Sequence, residues 1–327
     1  MSYSSRSGWQ SQPYKADRVA ASALAETKSS AYNAAGKPSV ISYQREGDLK
    51  LLIYSKGLYS SWIFYSPDRL LFDCGEGASS HLGNKSFAIQ RVFLSHGHTD
   101  HVAGLLSLIN IRNSAMGDTT KSLTVYHPVG NRQIALLKTY LAQAQPRLRY
   151  ELQWTALEPG ERVPVFSGPM ARSVVAFRTQ HGQDPSLGYN IVEERKRLKP
   201  EFQGKTQDEL RTLAKSGKAD LSEVYEQKLF SYGGDSVPLD PAHVEGTEVL
   251  CHDTTFLVEE DRQEYKHATL KEAVQVAHAA GVKRELLAFH ISSRYKLQLA
   301  QIADEIKSWK LPFTVTLIPP GKIYRQL

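Results

Sequence analysis

Three histidines and one aspartate lie within six consecutive residues of this 327-residue chain. The run Ser-His-Gly-His-Thr-Asp-His begins at Ser95, directly after a short apolar stretch, which predicts a buried strand that ends at a sheet edge. In extended geometry His96 and His98 point to the same side and can bind one metal ion. After a bend, Asp100 and His101 can bind a second ion nearby. Two divalent metals side by side predict a hydrolytic enzyme.

Three more potential metal ligands follow predicted strands elsewhere in the chain. His181 comes after the apolar run Val-Val-Ala-Phe, and His290 comes directly after Leu-Leu-Ala-Phe. Asp235 comes after Phe-Ser-Tyr and two glycines, which allow the backbone to approach closely. Each of these residues alone could be an ordinary loop residue. Because ligand-type residues recur at four strand ends, we expect one shared metal site.

The composition is that of a soluble globular protein, with 41% hydrophobic and 23% charged residues. No stretch is apolar enough to span a membrane, and the N-terminus lacks the hydrophobic core of a signal peptide. The two cysteines, Cys74 and Cys251, are expected to be buried packing residues in a reducing compartment. We therefore expect a cytoplasmic protein, while the Ser-rich, basic N-terminus is also compatible with an organelle transit segment. The net charge of +6 suits nucleotide or RNA partners, but also a basic solvated surface.

The chain divides by composition into two parts. Residues 1–45 are polar and small, and we expect a flexible or partly helical N-terminal arm with a short helix at 18–30. Residues 46–327 alternate strand and helix patterns in two similar halves. This alternation predicts an α/β fold, an αββα sandwich of two mixed β-sheets with helices on the outer faces. Strands are predicted at 49–54, 61–65, 70–73, 91–94, 123–126, 173–177, 188–192, 228–232, 247–251, 286–289 and 313–318, and helices at 102–113, 130–145, 207–215, 270–280 and 297–309.

Four short motifs resemble the metallo-β-lactamase superfamily, and within it the tRNase Z-like branch. Asp-Cys-Gly-Glu-Gly begins at Asp73, and His181 is followed by Ser-Leu-Gly-Tyr. Asp235 lies in Gly-Gly-Asp-Ser, where the family has Gly-Asp-Thr, and His290 opens His-Ile-Ser-Ser-Arg-Tyr. These matches run in the family's order from about residue 49 to 295, so the likeness covers nearly all of the chain after the arm.

The resemblance implies a complete ligand set for two divalent metal ions. One metal would be bound by His96, His98, His181 and Asp235. The other would be bound by Asp100, His101, Asp235 and His290, with Asp235 bridging the two. Zinc is expected for a histidine-rich set, and the carboxylates also leave room for manganese.

Two further motifs resemble those of the superfamily's phosphodiesterases. Asp253 lies in His-Asp-Thr-Thr, similar to the family's His-Glu-Ala-Thr, and His267 opens His-Ala-Thr, similar to His-Ser-Thr. In the family the histidine protonates the leaving oxygen and the carboxylate orients it. The mechanism implied is attack on phosphorus by a hydroxide between the metals, with Asp100 holding the attacking water. The alternative is that His267 only precedes a helix and has no chemical role.

The substrate is the open question at this level. Enzymes of this branch that process tRNA 3′ ends carry a long Gly- and Pro-rich arm, whereas the corresponding interval 193–232 has no Gly-Pro run. It resembles shorter tRNase Z-like proteins, including phage anti-Pycsar enzymes. The basic residues of this interval could rim an anion pocket or form a solvated charged turn; they are Arg195, Lys196, Arg197 and Lys199.

We therefore predict a metal-dependent phosphodiesterase that hydrolyses small phosphodiesters, with 3′,5′-cyclic nucleotides as the first expectation. A tRNase Z-type RNA 3′-end endonuclease is the alternative. A non-catalytic binding subunit on the same fold is a third possibility, which the intact ligand set disfavours. A homodimer is expected by family resemblance alone.

Overall fold

A computed structural model describes residues 50–116, 121–216 and 220–326. The predicted N-terminal arm and its short helix lie outside the described residues, so the boundary near residue 45 stays a prediction. No helix in the described ranges is long and apolar enough to cross a membrane. Both cysteines are buried free thiols, as the sequence predicts.

The first sheet has seven strands in the order β14-β1-β2-β3-β4-β5-β6. Strands β14, β1, β2 and β3 pair antiparallel, and β3 to β6 pair parallel. The strands are β1 (Leu51–Lys56), β2 (Ser60–Tyr65), β3 (Leu70–Phe72), β4 (Arg91–Phe93), β5 (Leu123–Pro128), β6 (Leu152–Leu157) and β14 (Ile323–Gln326).

The second sheet repeats this arrangement in the order β13-β12-β11-β10-β9-β8-β7. Strands β7 to β10 pair antiparallel, and β10 to β13 pair parallel. The strands are β7 (Arg162–Phe166), β8 (Arg172–Thr179), β9 (Ser186–Leu198), β10 (Ser222–Tyr232), β11 (Val249–Asp253), β12 (Glu285–Phe289) and β13 (Thr314–Leu317). The prediction of two mixed sheets is confirmed.

Three apolar clusters form the core, one between the sheets and one beneath the helices of each outer layer. Strand β1 shows how the sequence divides between them. Leu51 and Ile53 face the second sheet, while Leu52 and Tyr54 pack in the helical layer, which is the two-residue period of a strand between two layers. The helices are α1 (Ala78–Leu82), α2 (Thr99–Val102), α3 (Gly104–Met116), α4 (Arg132–Ala144), α5 (Gln207–Ser216), α6 (Leu270–Ala279) and α7 (Leu299–Ser308).

The helix predicted at 102–113 is α3, which begins at Gly104, and the short helix α2 before it ends at Val102. Gly104 begins α3 against the Asp-Cys-Gly-Glu-Gly loop, and its backbone N–H donates to the Cys74 carbonyl at 2.8 Å. A Cβ at this position would lie 2.1 Å from the carbonyl oxygen of Gly75, so only glycine fits. The N–H of Cys74 also donates to the His101 carbonyl at 2.7 Å, so the histidine motif lies against that loop.

The interval after the Gly-Tyr motif is a long hairpin, not a charged turn. Strands β9 and β10 pair from Tyr189–Tyr232 out to Leu198–Ser222, with α5 between them. Arg195 and Arg197 therefore lie on β9. Arg197 pairs with Glu223, its directly opposite neighbour on β10, and this ion pair supports the strand pairing. Arg195 pairs with Glu193 of its own strand and with Glu248. The interpretation of this segment as a solvated charged turn is therefore wrong for Arg195 and Arg197.

Candidate metal centre and phosphodiesterase site

Three of the predicted metal ligands lie close together, and we call them the first ligand group. Ligand atoms of His96, His98 and His181 all lie within 4.8 Å of one another. Nδ1 of His98 lies 3.2 Å from Nε2 of His181, and the ring of His96 is 4.6 Å from that of His98. His96 and His181 are buried, whereas His98 is exposed, so this group is open to solvent on one side.

The other four predicted ligands form a second group, again with ligand atoms within 4.8 Å of one another. Nε2 of His101 lies 3.2 Å from Oδ1 of Asp235 and 3.6 Å from Oδ2 of Asp100. Nε2 of His290 lies 3.4 Å from Oδ2 of both carboxylates. The rings of His96 and His101 are 4.3 Å apart, so the two groups adjoin.

Two unusual backbone positions help to bring these side chains together at the ends of strands. Gly234 has φ of +62°, and a Cβ there would lie 2.6 Å from Cβ of Ser95, so glycine lets Asp235 reach the histidine motif. His290 also has positive φ, at 62°, and its N–H donates to Oγ of Ser55 at 3.0 Å. A left-handed histidine is a strained conformation that commonly marks a functional site.

Asp73 orients the histidine motif, a role that the motif spacing did not reveal. Its carboxylate accepts hydrogen bonds from the Ser95 N–H and hydroxyl, each at 2.7 Å, and from the Tyr232 hydroxyl at 2.6 Å. His101 Nδ1 donates to the same carboxylate at 2.7 Å. The Asp-Cys-Gly-Glu-Gly motif was the available signal, although it indicated the family and not this function.

Four of the histidines use Nδ1 for a hydrogen bond outside the ligand groups, so Nε2 is the nitrogen that faces the other ligands. The Ser95 hydroxyl donates to Asp73, so it accepts from Nδ1 of His96 at 3.0 Å. The Thr255 hydroxyl likewise donates to Asp253 and accepts from Nδ1 of His290 at 3.0 Å. Nδ1 is also occupied in His101, by Asp73, and in His181, by the Lys266 carbonyl. Fixing one ring nitrogen in this way sets the tautomer that binds a metal through the other.

The electrostatics of the two groups favour a bound cation. Burial, reinforced by neighbouring His101, lowers the pKa of His96 well below its usual value, so this ring is neutral. Burial also lowers the pKa of His101, but Asp235 and Asp73 outweigh burial and raise that pKa well above its usual value. These carboxylates therefore stabilise positive charge at the second group.

Three buried atoms show that the donor set fits divalent metal ions. Nε2 of His96, Nε2 of His101 and Oδ1 of Asp235 have no hydrogen-bond partner among the described residues. A buried polar atom without a hydrogen-bond partner destabilises the fold. A bound metal ion would supply the missing partner. Imidazoles with carboxylates are the donors that zinc prefers in hydrolytic sites.

The second predicted motif pair also meets at this centre. Nδ1 of His267 donates to Oδ2 of Asp253 at 2.7 Å, and the His267 ring stacks on His290 with centroids 5.4 Å apart. Burial lowers the pKa of His267, but Asp253 outweighs burial and raises it to about 9. Asp253 is itself fixed by the N–H groups of Ser236 and Thr255, at 3.0 and 2.8 Å. A protonated histidine therefore faces the second group of ligands.

Comparison with known proteins agrees with this geometry. Residues 68–199 match the family described as the beta-lactamase superfamily domain. The chain is 33% identical over 252 residues to a ribonuclease Z of Listeria innocua, which covers 69% of this chain and 78% of that relative. It is 31% identical over 272 residues to a ribonuclease Z of Archaeoglobus fulgidus, covering 75% and 85%.

The chain belongs to the metallo-β-lactamase superfamily, in its tRNase Z-like branch. The solved structure of the short form of human tRNase Z has the same superfamily fold, with a TM-score of 0.56 and 18% identity over 85% of this chain and 99% of that chain. The predicted family resemblance and the predicted αββα sandwich are both confirmed. This superfamily fold implies divalent metal ions, which the donor set described above fits.

Proposed function

We propose that the protein is a metal-dependent endonuclease that cleaves RNA near its 3′ end, in the manner of a tRNase Z. Family membership makes the chain a phosphodiester-hydrolysing enzyme, as the sequence predicts. The observation that carries the proposal is the Asp253–His267 pair at 2.7 Å beside the second ligand group. Similarity to ribonucleases Z over about two thirds to three quarters of the chain supports RNA as the substrate.

The proposed centre would hold two zinc ions. His96, His98 and His181 would hold one, and Asp100, His101, Asp235 and His290 would hold the other. Metals bound there would lower the pKa of a water molecule towards neutral and offset charge on the phosphoryl oxygens.

Asp100 has the second task of holding the attacking water. Burial raises the pKa of this carboxyl, but hydrogen bonding to His290 and the charge of His101 outweigh burial and lower it. Asp100 is therefore ionised at neutral pH and accepts a hydrogen bond from the water. Its side chain is only partly buried, which leaves the water a path from solvent.

His267 protonates the leaving oxygen of the phosphodiester. An alkoxide that leaves phosphorus needs a proton, and a histidine held by a carboxylate supplies it near neutral pH. The hydrogen bond from Nδ1 to Asp253 directs the other ring nitrogen away from that carboxylate. The reading of His267 as a residue that merely precedes a helix explains neither this bond nor the stacking on His290.

The β9–β10 hairpin is the proposed anchor for RNA. It occupies the interval in which tRNA-processing relatives carry their Gly- and Pro-rich arm, but it is built from paired strands and a helix. Lys196 on β9 and Lys205 before α5 are exposed, and no ion pair involves either among the described residues. Exposed cations of this kind contact phosphates without reading sequence.

Hydrolysis of 3′,5′-cyclic nucleotides is the second candidate. The lack of a Gly-Pro run in the interval favours it, because a small diester needs no remote anchor. The same ligands and the same His267 would serve either substrate. A homodimer stays a prediction for both.

A competition between substrates tests the proposal. Zinc-loaded protein is given an RNA with a short 3′ extension and, separately, 3′,5′-cyclic AMP and GMP, and kcat/KM is measured for each. We expect kcat/KM to be at least about tenfold higher for the RNA, and RNA cleavage to be lost in Asp100→Ala. Turnover of the cyclic nucleotides without RNA cleavage would overturn the RNA proposal in favour of the second candidate.

A further inference from the structure

We propose that a cleft beside His181 binds one unpaired nucleoside next to the scissile phosphate, and that Arg178 contacts this nucleotide. The inference rests on the proposed phosphodiesterase function of the adjoining centre. The cleft has a volume of about 530 Å³, within the range of about 300–1,000 Å³ usual for small-ligand sites. Because His181 forms part of its wall, a group bound in the cleft lies directly beside the first ligand group.

The walls of the cleft are fixed before any ligand binds. They come from the ends of β5 and β6 in the first sheet and from the end of β8 with the β8–β9 loop in the second. The N–H of Val129 donates to the Leu157 carbonyl at 3.0 Å, and the N–H of Leu187 donates to the Ser95 carbonyl at 2.9 Å. Since Ser95 opens the histidine motif, the cleft is held in register with the proposed metal ligands. Because these walls are already ordered, binding does not lose the conformational entropy of a loop.

The lining suits a nucleoside with one phosphate. Pro159 and Pro185 supply apolar surface for a base or sugar, and Gln183 and Asp184 supply donors and acceptors for a base edge. Arg178 is exposed, and it is the one Lys or Arg among the described residues of the lining. Its guanidinium carries five N–H donors that can reach the sugar or base of the nucleoside, a contact that a diester without a nucleoside cannot make.

The charge of the lining excludes more highly charged ligands. Arg178 is accompanied by the carboxylates of Glu158 and Asp184, so a second phosphate in the cleft would be repelled. Arg178 forms no ion pair with another described residue, so its guanidinium is available to the substrate. The ligand class that fits is therefore one nucleotide of a single strand, not a base pair or a polyphosphate.

Three chromogenic diesters with the same leaving group test this subsite. Bis(4-nitrophenyl) phosphate has no nucleoside, whereas the thymidine 5′- and 3′-(4-nitrophenyl) phosphates add one on either side of phosphorus. The quantity compared is the ratio of KM for each nucleoside ester to KM for the plain diester, with zinc-loaded protein. Arg178→Ala removes the cation, and Val129→Trp narrows the cleft from an exposed position.

We expect both variants to raise this KM ratio about tenfold for at least one nucleoside ester. Arg162→Ala and Leu136→Trp make matched changes at exposed positions outside the cleft, and should leave the ratio as in the wild type. An unchanged ratio in Arg178→Ala and Val129→Trp would overturn the subsite. Wild-type protein that hydrolyses the small esters but no RNA would instead overturn only the RNA substrate. Protein that cleaves RNA but hydrolyses none of the three esters would overturn the nucleoside subsite and leave the RNA proposal standing.

Discussion

Nδ1 of His101 lies 2.7 Å from Oδ2 of Asp73, and both side chains are completely buried. Asp73 follows β3 and His101 lies in α2, so this bond joins the loop after β3 to a helix. The same carboxylate also holds Ser95, whose hydroxyl accepts from His96. One aspartate that contacts no proposed metal therefore sets the orientation of a ligand in each group.

Asp73→Asn should weaken metal binding. An amide keeps the size of the side chain but loses the charge that orients His101, and such second-layer changes cost about 10–100-fold in metal affinity. Zinc affinity, measured by competition with a chromophoric chelator, is the readout. Wild-type affinity in this variant would contradict the positioning role.

Asp68→Asn is the matched control, because it also removes a buried carboxylate. Asp68 accepts two hydrogen bonds from Arg172, at 2.6 and 2.7 Å, in a pair that is nearly inaccessible to solvent. Because Glu193 still pairs with that guanidinium at 3.1 Å, loss of the Asp68 charge should lower the free energy of unfolding by about 1–3 kcal/mol. Zinc affinity should nevertheless stay at the wild-type value while the protein is folded.

His267→Ala should lower turnover on RNA by about 10²–10⁴-fold while the zinc content stays at the wild-type value. The reason is that His267 donates a proton in our account and binds no metal. His278→Ala, an exposed histidine on α6, is the control and should keep full activity. Loss of zinc along with activity would show that His267 is a ligand instead.

The pH dependence of RNA cleavage by the wild type should reflect the titration of His267. Asp253 raises the pKa of His267 to about 9, so the acid form is lost as the pH rises through that value. Nearby metal cations favour the neutral ring and move the midpoint below 9. The rate should therefore fall on the alkaline side, and this limb should be missing from the residual activity of His267→Ala. A limb of the same shape in the variant would assign it to another group.

The zinc content of two variants should show that each ligand group binds its own ion. His96→Ala should lose one of two zinc ions per chain, and so should His290→Ala, because each removes a ligand from a different group. Elemental analysis of purified, dialysed protein gives the ratio directly. One zinc per wild-type chain, or no change in either variant, would contradict the two-metal arrangement.

Gly234→Ala should destabilise the fold more than Gly281→Ala. Both glycines have positive φ, +62° and +60°, so alanine costs about 1–2 kcal/mol at either position. Only at Gly234 would the new Cβ also clash, 2.6 Å from Ser95, which adds about 1–3 kcal/mol. Urea unfolding of the two variants compares the losses, and equal losses would show that the close approach is not required.

The sequence predicted the ligands because each lies in a short motif at the end of an apolar strand. It did not predict the roles of residues that act through contacts with distant parts of the chain. The partners of Asp73 come from two distant segments, the histidine motif and the end of β10, and no local spacing shows that they meet. Strands β6 and β7 were not predicted, because they are short edge-region strands with exposed side chains and little apolar alternation. Strand β9 was predicted to end at Val192, where charged residues begin, yet cross-strand ion pairs such as Arg197–Glu223 let it continue.

The most direct test of the account is cleavage of a 3′-extended RNA by zinc-loaded protein, with the metal removed by a chelator and then restored. We expect endonucleolytic release of the extension that stops on chelation, returns with zinc and is absent in Asp100→Ala. Cleavage that persists without metal, or is unaffected by loss of Asp100, would contradict the assignment of this centre as the site of phosphodiester hydrolysis.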